Sequence, residues 1–238
     1  MSGNKLKVLA CITMLIDHIG YLLYPNVMLL RYIGRISLPL FAFLIAEGCL
    51  HTRSKLRYFL SILSMAIFCQ SVYVIEDLMD GRMSSLYLNI LFTFAFSILI
   101  CCAYIKWSDA TKSGSKAAYL YLALFFLALV FSFVCDKKLG EWIDFPIQLD
   151  YGIAGIILPL FGVIFTDRRR QIPTFAFGLL LYNLLLSAQT PYIWYSLLAL
   201  PFIALYTGKR GTKRLKLFFY LFYPVHFACL YLVDMLFF

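Results

Sequence analysis

The sequence predicts an all-α, polytopic transmembrane helix bundle with about nine spans and its N-terminus inside. Of the 238 residues, 63% are hydrophobic and only 14% are charged, whereas soluble domains carry about 25% charged residues. The apolar runs are continuous, which disfavours the alternating pattern of a β-barrel. They recur along the whole chain and leave no room for a soluble domain, so we expect residues 1–238 to form one membrane domain.

Nine segments are candidates for membrane spans, because a helix needs about 20 apolar residues to cross the hydrocarbon core. The seventh and eighth are short and are separated only by residues 188–191, so they form a tight hairpin or include a re-entrant segment. The predicted spans are 6–24, 33–50, 56–75, 85–105, 117–135, 149–165, 172–187, 192–206 and 215–236.

The first span follows Lys5 and Lys7 and therefore resembles a signal peptide. Asp17 and His18 interrupt its apolar run, and no small-residue cleavage site follows it. We expect it to be retained as the first helix.

The distribution of charged residues predicts the topology. Cytoplasmic loops are enriched in Lys and Arg, and with the N-terminus inside, most of the 21 Lys and Arg residues fall on the inner side. The acidic loop residues fall mostly outside. Basic inner loops and acidic outer loops alternate along the chain only if all nine spans are counted. Topology in the cell membrane thus explains the formal charge of +9, and the lipid bilayer is the expected partner rather than nucleic acid.

The seven cysteines lie mostly in apolar runs and lack metal-ligand spacing. We therefore expect neither a disulfide framework nor a metal site.

Several ionisable side chains lie inside the apolar segments, where each costs about 2.5–3.5 kcal/mol on insertion and usually faces a bundle interior. At about 1.5 Å of rise per residue, His18 and His226 fall near the middle of the membrane at similar depth. Asp17 is adjacent to His18, and Arg35 and Glu47 lie in the outer and inner parts of the second span. This pattern predicts a polar path through the bundle.

Purely structural roles are the alternative for the charged residues on this path. Asp17 could form a buried ion pair with Arg35. Glu47 could reach the inner surface and pair with Arg53 or Lys55.

The uncharged polar residues have structural alternatives too. Either His18 or His226 could be satisfied by a neighbouring carbonyl, and Asn89 could make an interhelical hydrogen bond. Tyr223 and Pro224 could serve only to shape a kink in the last helix.

Six segments together resemble one known family, the TraX family, named for the membrane protein that N-acetylates conjugative pilin. The resemblance covers nearly the whole chain, and the DHIG, GR…P.FAF…EG and YP.H elements are specific as a set. The segments are ITMLIDHIG at 12–20, RYIGRISLPLFAFLIAEG at 31–48, HTR at 51–53, LNILFTF at 88–94, DYGIAGIILP at 150–159 and FYLFYPVH at 219–226.

This resemblance implies an integral-membrane acyltransferase related to the acyltransferase-3 and heparan-acetyltransferase groups. Such proteins take an acyl group from a cytoplasmic acyl-CoA, here acetyl-CoA, and place it on an acceptor at or beyond the membrane. For the TraX family, the implied acceptor is the N-terminus of a peptide or protein.

The chemistry of the polar path agrees with this implication. Acyl transfer to an amine needs a base or a nucleophile, and neutral imidazole can serve as either. We expect His18, oriented by Asp17 or Glu47, to be the base or acyl carrier, with His226 as the second candidate. Arg35 or Asn89 could stabilise the developing oxyanion, and Arg35 could instead hold the carboxylates in place.

Further polar residues are candidates for contacts with the two substrates. Arg53, together with Lys55 and the basic cluster at 209–216, offers cations for the acyl-CoA phosphates. The expected substrate- and acyl-CoA-binding residues are Arg53, Asn89, Thr93, Asp150, Tyr151 and Tyr223.

Two other classes of function fit parts of the sequence. Intramembrane Asp, His, Arg and Glu also form proton relays, so a proton-coupled transporter of a small polar or anionic solute is the alternative. The sequence shows no two-fold repeat and no paired broken helices, which such transporters often have. A structural or assembly subunit without chemistry is the third class.

Overall fold

The computed structural model describes residues 1–79, 85–209 and 216–237. It is all-α, with 80% helix. The α-helices are α1 (Gly3–Leu22), α2 (Met28–Gly34), α3 (Ser37–His51), α4 (Lys55–Met79), α5 (Ile90–Lys112), α6 (Ala117–Lys137), α7 (Leu139–Trp142), α8 (Gly152–Ile157), α9 (Arg168–Leu186), α10 (Leu200–Ala204) and α11 (Lys216–Phe237). Two 3₁₀ helices, Leu158–Gly162 and Pro191–Ala199, and two short strands, β1 (Leu86–Leu88) and β2 (Ile147–Leu149), complete the described elements.

The chain divides into two compact units. The terminal unit comprises Met1–Leu44 and Ala176–Phe238, and the central unit comprises Ile45–Phe175. Helices α3 and α9 contribute residues to both units.

Four helical stretches of the described chain are long and apolar enough to cross a membrane, namely Met28–His51, Lys55–Ile75, Ile90–Lys112 and Ala117–Lys137. They correspond to the second to fifth predicted spans. The apolar helices Gly152–Gly162, Pro191–Ala204 and Leu221–Phe237 are shorter. The ninth predicted span begins at residue 215, which lies outside the described residues. The count of nine spans and the inside N-terminus remain predictions.

Prolines explain why the sixth and eighth predicted spans contain only short helices. Pro159 cannot donate a backbone hydrogen bond, and its ring would clash with the carbonyl of Gly155 in an α-helix. Helix α8 accordingly changes into a 3₁₀ helix at Leu158. Pro191 and Pro201 each lie in the first turn of a short helix in the eighth span.

A proline also accounts for the break in the second predicted span. Pro39 would clash with the carbonyl of Arg35 in a continuous helix. The chain therefore forms α2, a turn at Arg35 and Ile36, and then α3.

The core of the terminal unit is apolar and tightly closed. Leu6, Leu40 and Phe43 are fully buried, as are Leu179 and Ile203. Helix α1 packs against both α2 and α11. The polar residues of the first predicted span therefore lie on a helix that adjoins both of these helices.

The central unit is built around α5, which packs against α4, α6 and α8. Ile100, Leu149 and Ile156 form a buried cluster at its centre. Only 11% of the apolar part of α6 is buried, and its other residues are exposed or half-buried. Because that exposed surface is hydrocarbon, it is suited to contact with lipid.

The central unit contains a parallel strand pair that the sequence did not predict. Leu86 pairs with Ile147, and Leu88 pairs with Leu149. The predicted fourth and sixth spans therefore begin with strand residues rather than helix. The chain between the strands supplies the crossover that a parallel pair needs.

A buried hydrogen-bond network joins α4 to the start of α5. Asn89 is the N-cap of α5, and its side chain accepts a hydrogen bond from the amide of Leu91. Its Nδ2 donates to the Ala66 carbonyl at 3.0 Å and to Gln70 Oε1 at 3.1 Å. Gln70 Nε2 donates to the Tyr87 carbonyl. The interhelical hydrogen bond that was considered for Asn89 from the sequence is therefore present.

We expect Asn89→Ala to lower the free energy of unfolding by about 1–3 kcal/mol. The substitution removes a helix cap and leaves the buried groups that bond to Asn89 without that hydrogen-bond partner. Thermal unfolding in detergent would measure the change. Ser71→Ala is the matched control, since Ser71 is exposed and bonds only locally to the Phe68 carbonyl. Equal stability of the two variants would contradict a structural role for Asn89.

Candidate functional site

Asp17 lies between two arginines in the terminal unit. Arg31 Nη1 donates to Asp17 Oδ2 at 2.8 Å, and Arg35 Nη2 donates to Oδ1 at 2.9 Å and to Oδ2 at 3.1 Å. The side chains of Arg35 and Asp17 are only 6% and 13% exposed. The buried Asp17–Arg35 pair considered from the sequence is therefore present, with Arg31 as an additional partner.

Two glycines allow α1 and α2 to approach closely enough for this ion cluster. A Cβ on Gly34 would overlap the carboxyl group of Asp17, and a Cβ on Gly20 would lie 2.6 Å from the Cβ of Leu30. Such distances are too short for real side chains, so any larger residue would displace Asp17 or separate the helices. The glycines of DHIG and of the following GR element thus have a direct packing role.

His18 and His226 meet across α1 and α11. His18 Nδ1 lies 2.7 Å from His226 Nε2. His226 is buried at 5% exposure, whereas His18 is half-buried. The contact joins residues that are 208 positions apart in the chain. It brings together the DHIG and YP.H elements of the sequence.

Aromatic rings surround this histidine pair. The ring of Phe227 lies 4.4 Å from that of His18, and the ring of Phe222 is nearly parallel to His226 at 4.9 Å. Tyr223 packs edge-on against His226 at 5.8 Å. Tyr223, expected to contact substrate, therefore lies beside the imidazoles, and substrate binding by it remains a prediction.

A tyrosine cluster adjoins the buried guanidinium of Arg35. The guanidinium lies 5.4 Å from the centre of the Tyr192 ring. Tyr32 lies 6.0 Å from Tyr192 and stacks on Tyr195 at 4.4 Å. The cation–π contact adds a favourable electrostatic environment to Arg35.

Glu47 belongs to the central unit. Its Oε1 accepts a hydrogen bond from Gln171 Nε2 at 2.9 Å, and its Oε2 lies 3.6 Å from both Arg168 Nη2 and His51 Nε2. Gln171 also donates to the Gly162 carbonyl at 2.8 Å. Glu47 is only 7% exposed, so its contacts with these polar side chains lie in the interior of the unit.

The inner-surface partners considered for Glu47 were wrong. Its carboxylate pairs with Arg168 and His51 instead of Lys55, whose ammonium donates to the carbonyls of Cys49 and Leu50. Arg53 is exposed in the turn between α3 and α4. A catalytic role for Glu47 and acyl-CoA binding by Arg53 remain predictions.

The remaining substrate-binding candidates lie around the strand pair of the central unit. Thr93 is fully buried, and its Oγ1 donates to the Asp150 carbonyl at 2.7 Å. Asp150 Oδ1 accepts a hydrogen bond from the Tyr87 hydroxyl at 2.7 Å. Tyr151 has a left-handed backbone, with φ of 58°. Asn89 belongs to the network described above, and substrate binding by these residues remains a prediction.

Sequence reasoning missed Arg31, Phe222 and Gln171. Arg31 could have been found, because residues four apart on a helix share a face and the RYIGR segment places it four before Arg35. Phe222 could have been found in the same way, because it lies four residues before His226 on one helix. Gln171 bonds to Glu47 across 124 positions, and no local pattern indicates that contact. In the described part of the chain, no group of three His, Cys, Asp or Glu residues could hold a metal ion.

A family model described as TraX protein matches residues 2–234 of the chain. The chain belongs to the TraX family. The DHIG, GR and YP.H elements that carried the resemblance are thus those that form the Asp17 and His18 clusters in this TraX-family protein. Its membrane-length apolar helices and its family together identify it as a membrane protein.

Two curated proteins are similar to this TraX-family chain. A probable fimbrial assembly protein, FimC of serogroup H1, from Dichelobacter nodosus is 28% identical over 96% of the chain and 94% of its own length. An uncharacterised protein from Rickettsia prowazekii (strain Madrid E) is 55% identical over 40 residues, which cover 17% of the chain and 16% of its own length. No solved structure matches the chain.

Proposed function

We propose that this TraX-family protein is a multi-pass acyltransferase of the cell membrane that transfers an acetyl group from acetyl-CoA to the N-terminal amine of a peptide or protein. The contact between His18 Nδ1 and His226 Nε2 at 2.7 Å carries the proposal. It places two imidazoles together inside an apolar unit, where a neutral imidazole can accept the proton of an attacking amine.

The ion cluster on α1 and α2 supports the same chemistry. Arg31 and Arg35 together carry two positive charges, and Asp17 supplies only one negative charge. Fixed positive charge in a dry site stabilises a developing oxyanion strongly. In this scheme, Arg35 remains the oxyanion-stabilising candidate and Asp17 holds the guanidiniums in place. His226, rather than Asp17, is then the partner of the His18 ring.

The acceptor is proposed from the family and from a relative. The similar Dichelobacter nodosus protein is named as a probable fimbrial assembly protein, and a fimbria is assembled from polypeptide subunits, each of which has an N-terminus. A subunit of a surface fibre is therefore a suitable acceptor. Exposed Arg53 and the other basic residues of the predicted inner loops would bind the phosphates of acetyl-CoA.

Purified protein in nanodiscs should be incubated with acetyl-CoA labelled in the acetyl group and with a peptide offered in free and N-terminally blocked forms. We expect mass spectrometry to find one labelled acetyl group on the free peptide only, with stoichiometric release of the CoA thiol. Absence of product with a panel of peptides, including one from a fimbrial subunit, would refute the proposal. Proton-linked solute uptake into proteoliposomes without a covalent product would instead identify a transporter.

A further inference from the structure

The hydrogen bonds of the histidine pair form a directional chain. The Phe222 carbonyl lies 2.7 Å from His226 Nδ1, and His226 Nε2 lies 2.7 Å from His18 Nδ1. The two imidazole planes differ by only 19°, and their centres are 4.9 Å apart. This spacing is what a short contact between two ring edges requires, so the rings meet edge to edge, as an in-plane hydrogen bond needs.

The backbone end of the chain fixes where the protons lie. A carbonyl oxygen can only accept, so His226 Nδ1 carries a hydrogen and donates to Phe222. A neutral imidazole has one N–H, which leaves a lone pair on His226 Nε2. His18 Nδ1 must then donate to that lone pair, and the second lone pair of the chain lies on His18 Nε2.

The sequence of α11 makes this arrangement possible. Phe222 lies four residues before His226 on the same helix, so the two residues share a face. The Phe222 carbonyl has two lone pairs, and it can therefore accept the side-chain hydrogen bond from His226 Nδ1.

Resting on the proposed function, we propose that His18 Nε2 is the proton acceptor of the reaction and that His226 is a positioning residue, held by the Phe222 carbonyl, that fixes the Nδ1–H tautomer of His18. In a free neutral histidine, the Nε2–H tautomer is the more common and would have no lone pair at Nε2. As a whole residue, His18 is also more exposed than His226.

The proposed reaction passes one proton from the substrate amine through His18 to the CoA thiolate. The substrate amine forms the new N–C bond to the acyl carbon and gives its proton to His18 Nε2. The C–S bond of the thioester breaks, and the CoA thiolate takes that proton from His18 Nε2. While His18 is an imidazolium, its bond to His226 Nε2 is charge-assisted and therefore stronger.

¹⁵N NMR of histidine-labelled protein in nanodiscs tests the tautomers independently of activity. The chain has only three histidines, and the spectrum of a His51→Ala variant isolates the pair. We expect Nδ1–H signals from both His18 and His226, and we expect His226→Leu to shift His18 towards the Nε2–H form. An Nε2–H His18 in the native protein would overturn the inference.

Kinetics of paired variants separate positioning from packing. His226→Leu should lower kcat about 10–100-fold with little change in KM, as expected for the loss of a group that orients a functional imidazole. His226→Gln places an acceptor oxygen near the position of Nε2 and should restore part of kcat. Equal losses in both variants would refute positioning. The expected tautomers without any acyl transfer would support the tautomer assignment and overturn the proposed function.

Discussion

His18→Ala should lower acetyl transfer by about 10²–10⁴-fold, the usual contribution of a positioned general base. The substitution removes the imidazole that contacts His226 and leaves the substrate amine without a proton acceptor. Initial rates of labelled-acetyl transfer in nanodiscs, with the variant and native proteins at equal concentration, would measure the loss. The loss should appear in kcat, because His18 acts on the reacting atoms.

The control for His18→Ala is Ile12→Ala on the same helix. Ile12 is half exposed, so its truncation tests the effect of shortening a side chain of α1 away from the site. Both variants should retain native thermal unfolding in detergent. A folded His18→Ala protein with full transfer activity would exclude His18 as the base or acyl carrier.

Asp17→Asn should lower the free energy of unfolding by about 3–5 kcal/mol, the usual cost of removing one partner from a buried ion pair. Asparagine has nearly the shape of aspartate, so the change removes the charge while disturbing packing little. Arg31 and the buried Arg35 then lose the carboxylate that both bind. Thermal and denaturant-induced unfolding in detergent would report the loss.

Glu141→Gln provides the comparison for Asp17→Asn. Glu141 binds Lys138 at the same distance of 2.8 Å, but both side chains are about half exposed. An ion pair exposed to this extent contributes about 0–1 kcal/mol, so this variant should remain within that range of the native protein. If Asp17→Asn were as stable as Glu141→Gln, the Asp17 cluster would not contribute to folding.

Much of the helical architecture could be predicted because the length and the apolar composition of a segment are local properties of the sequence. The second to fifth predicted spans correspond to membrane-length helices. The strands and the short 3₁₀ helices were missed for different reasons. A three-residue strand such as Leu86–Leu88 has no recognisable period, and the effect of Pro159 or Pro191 on helix type depends on how each turn is packed.

The candidate site was predictable in its members and less so in its pairings. Asp17, His18, Arg35 and His226 were found because charged and polar groups are rare inside apolar segments. Glu47 was found in the same way, but the basic partners considered for it, Arg53 and Lys55, were wrong. An ionisable residue in an apolar segment signals that some partner is needed, and it does not identify which one.

The order of residues alone is enough to predict that this chain forms apolar helices and that a few titratable side chains need partners within them. Which partners they find follows from the folded chain, in which Asp17 binds both Arg31 and Arg35, Glu47 binds Gln171, and His18 contacts His226. The two kinds of interaction differ in range. Burial of apolar surface acts on every segment wherever it lies, whereas a hydrogen bond forms only at about 3 Å, a distance set by how distant helices pack.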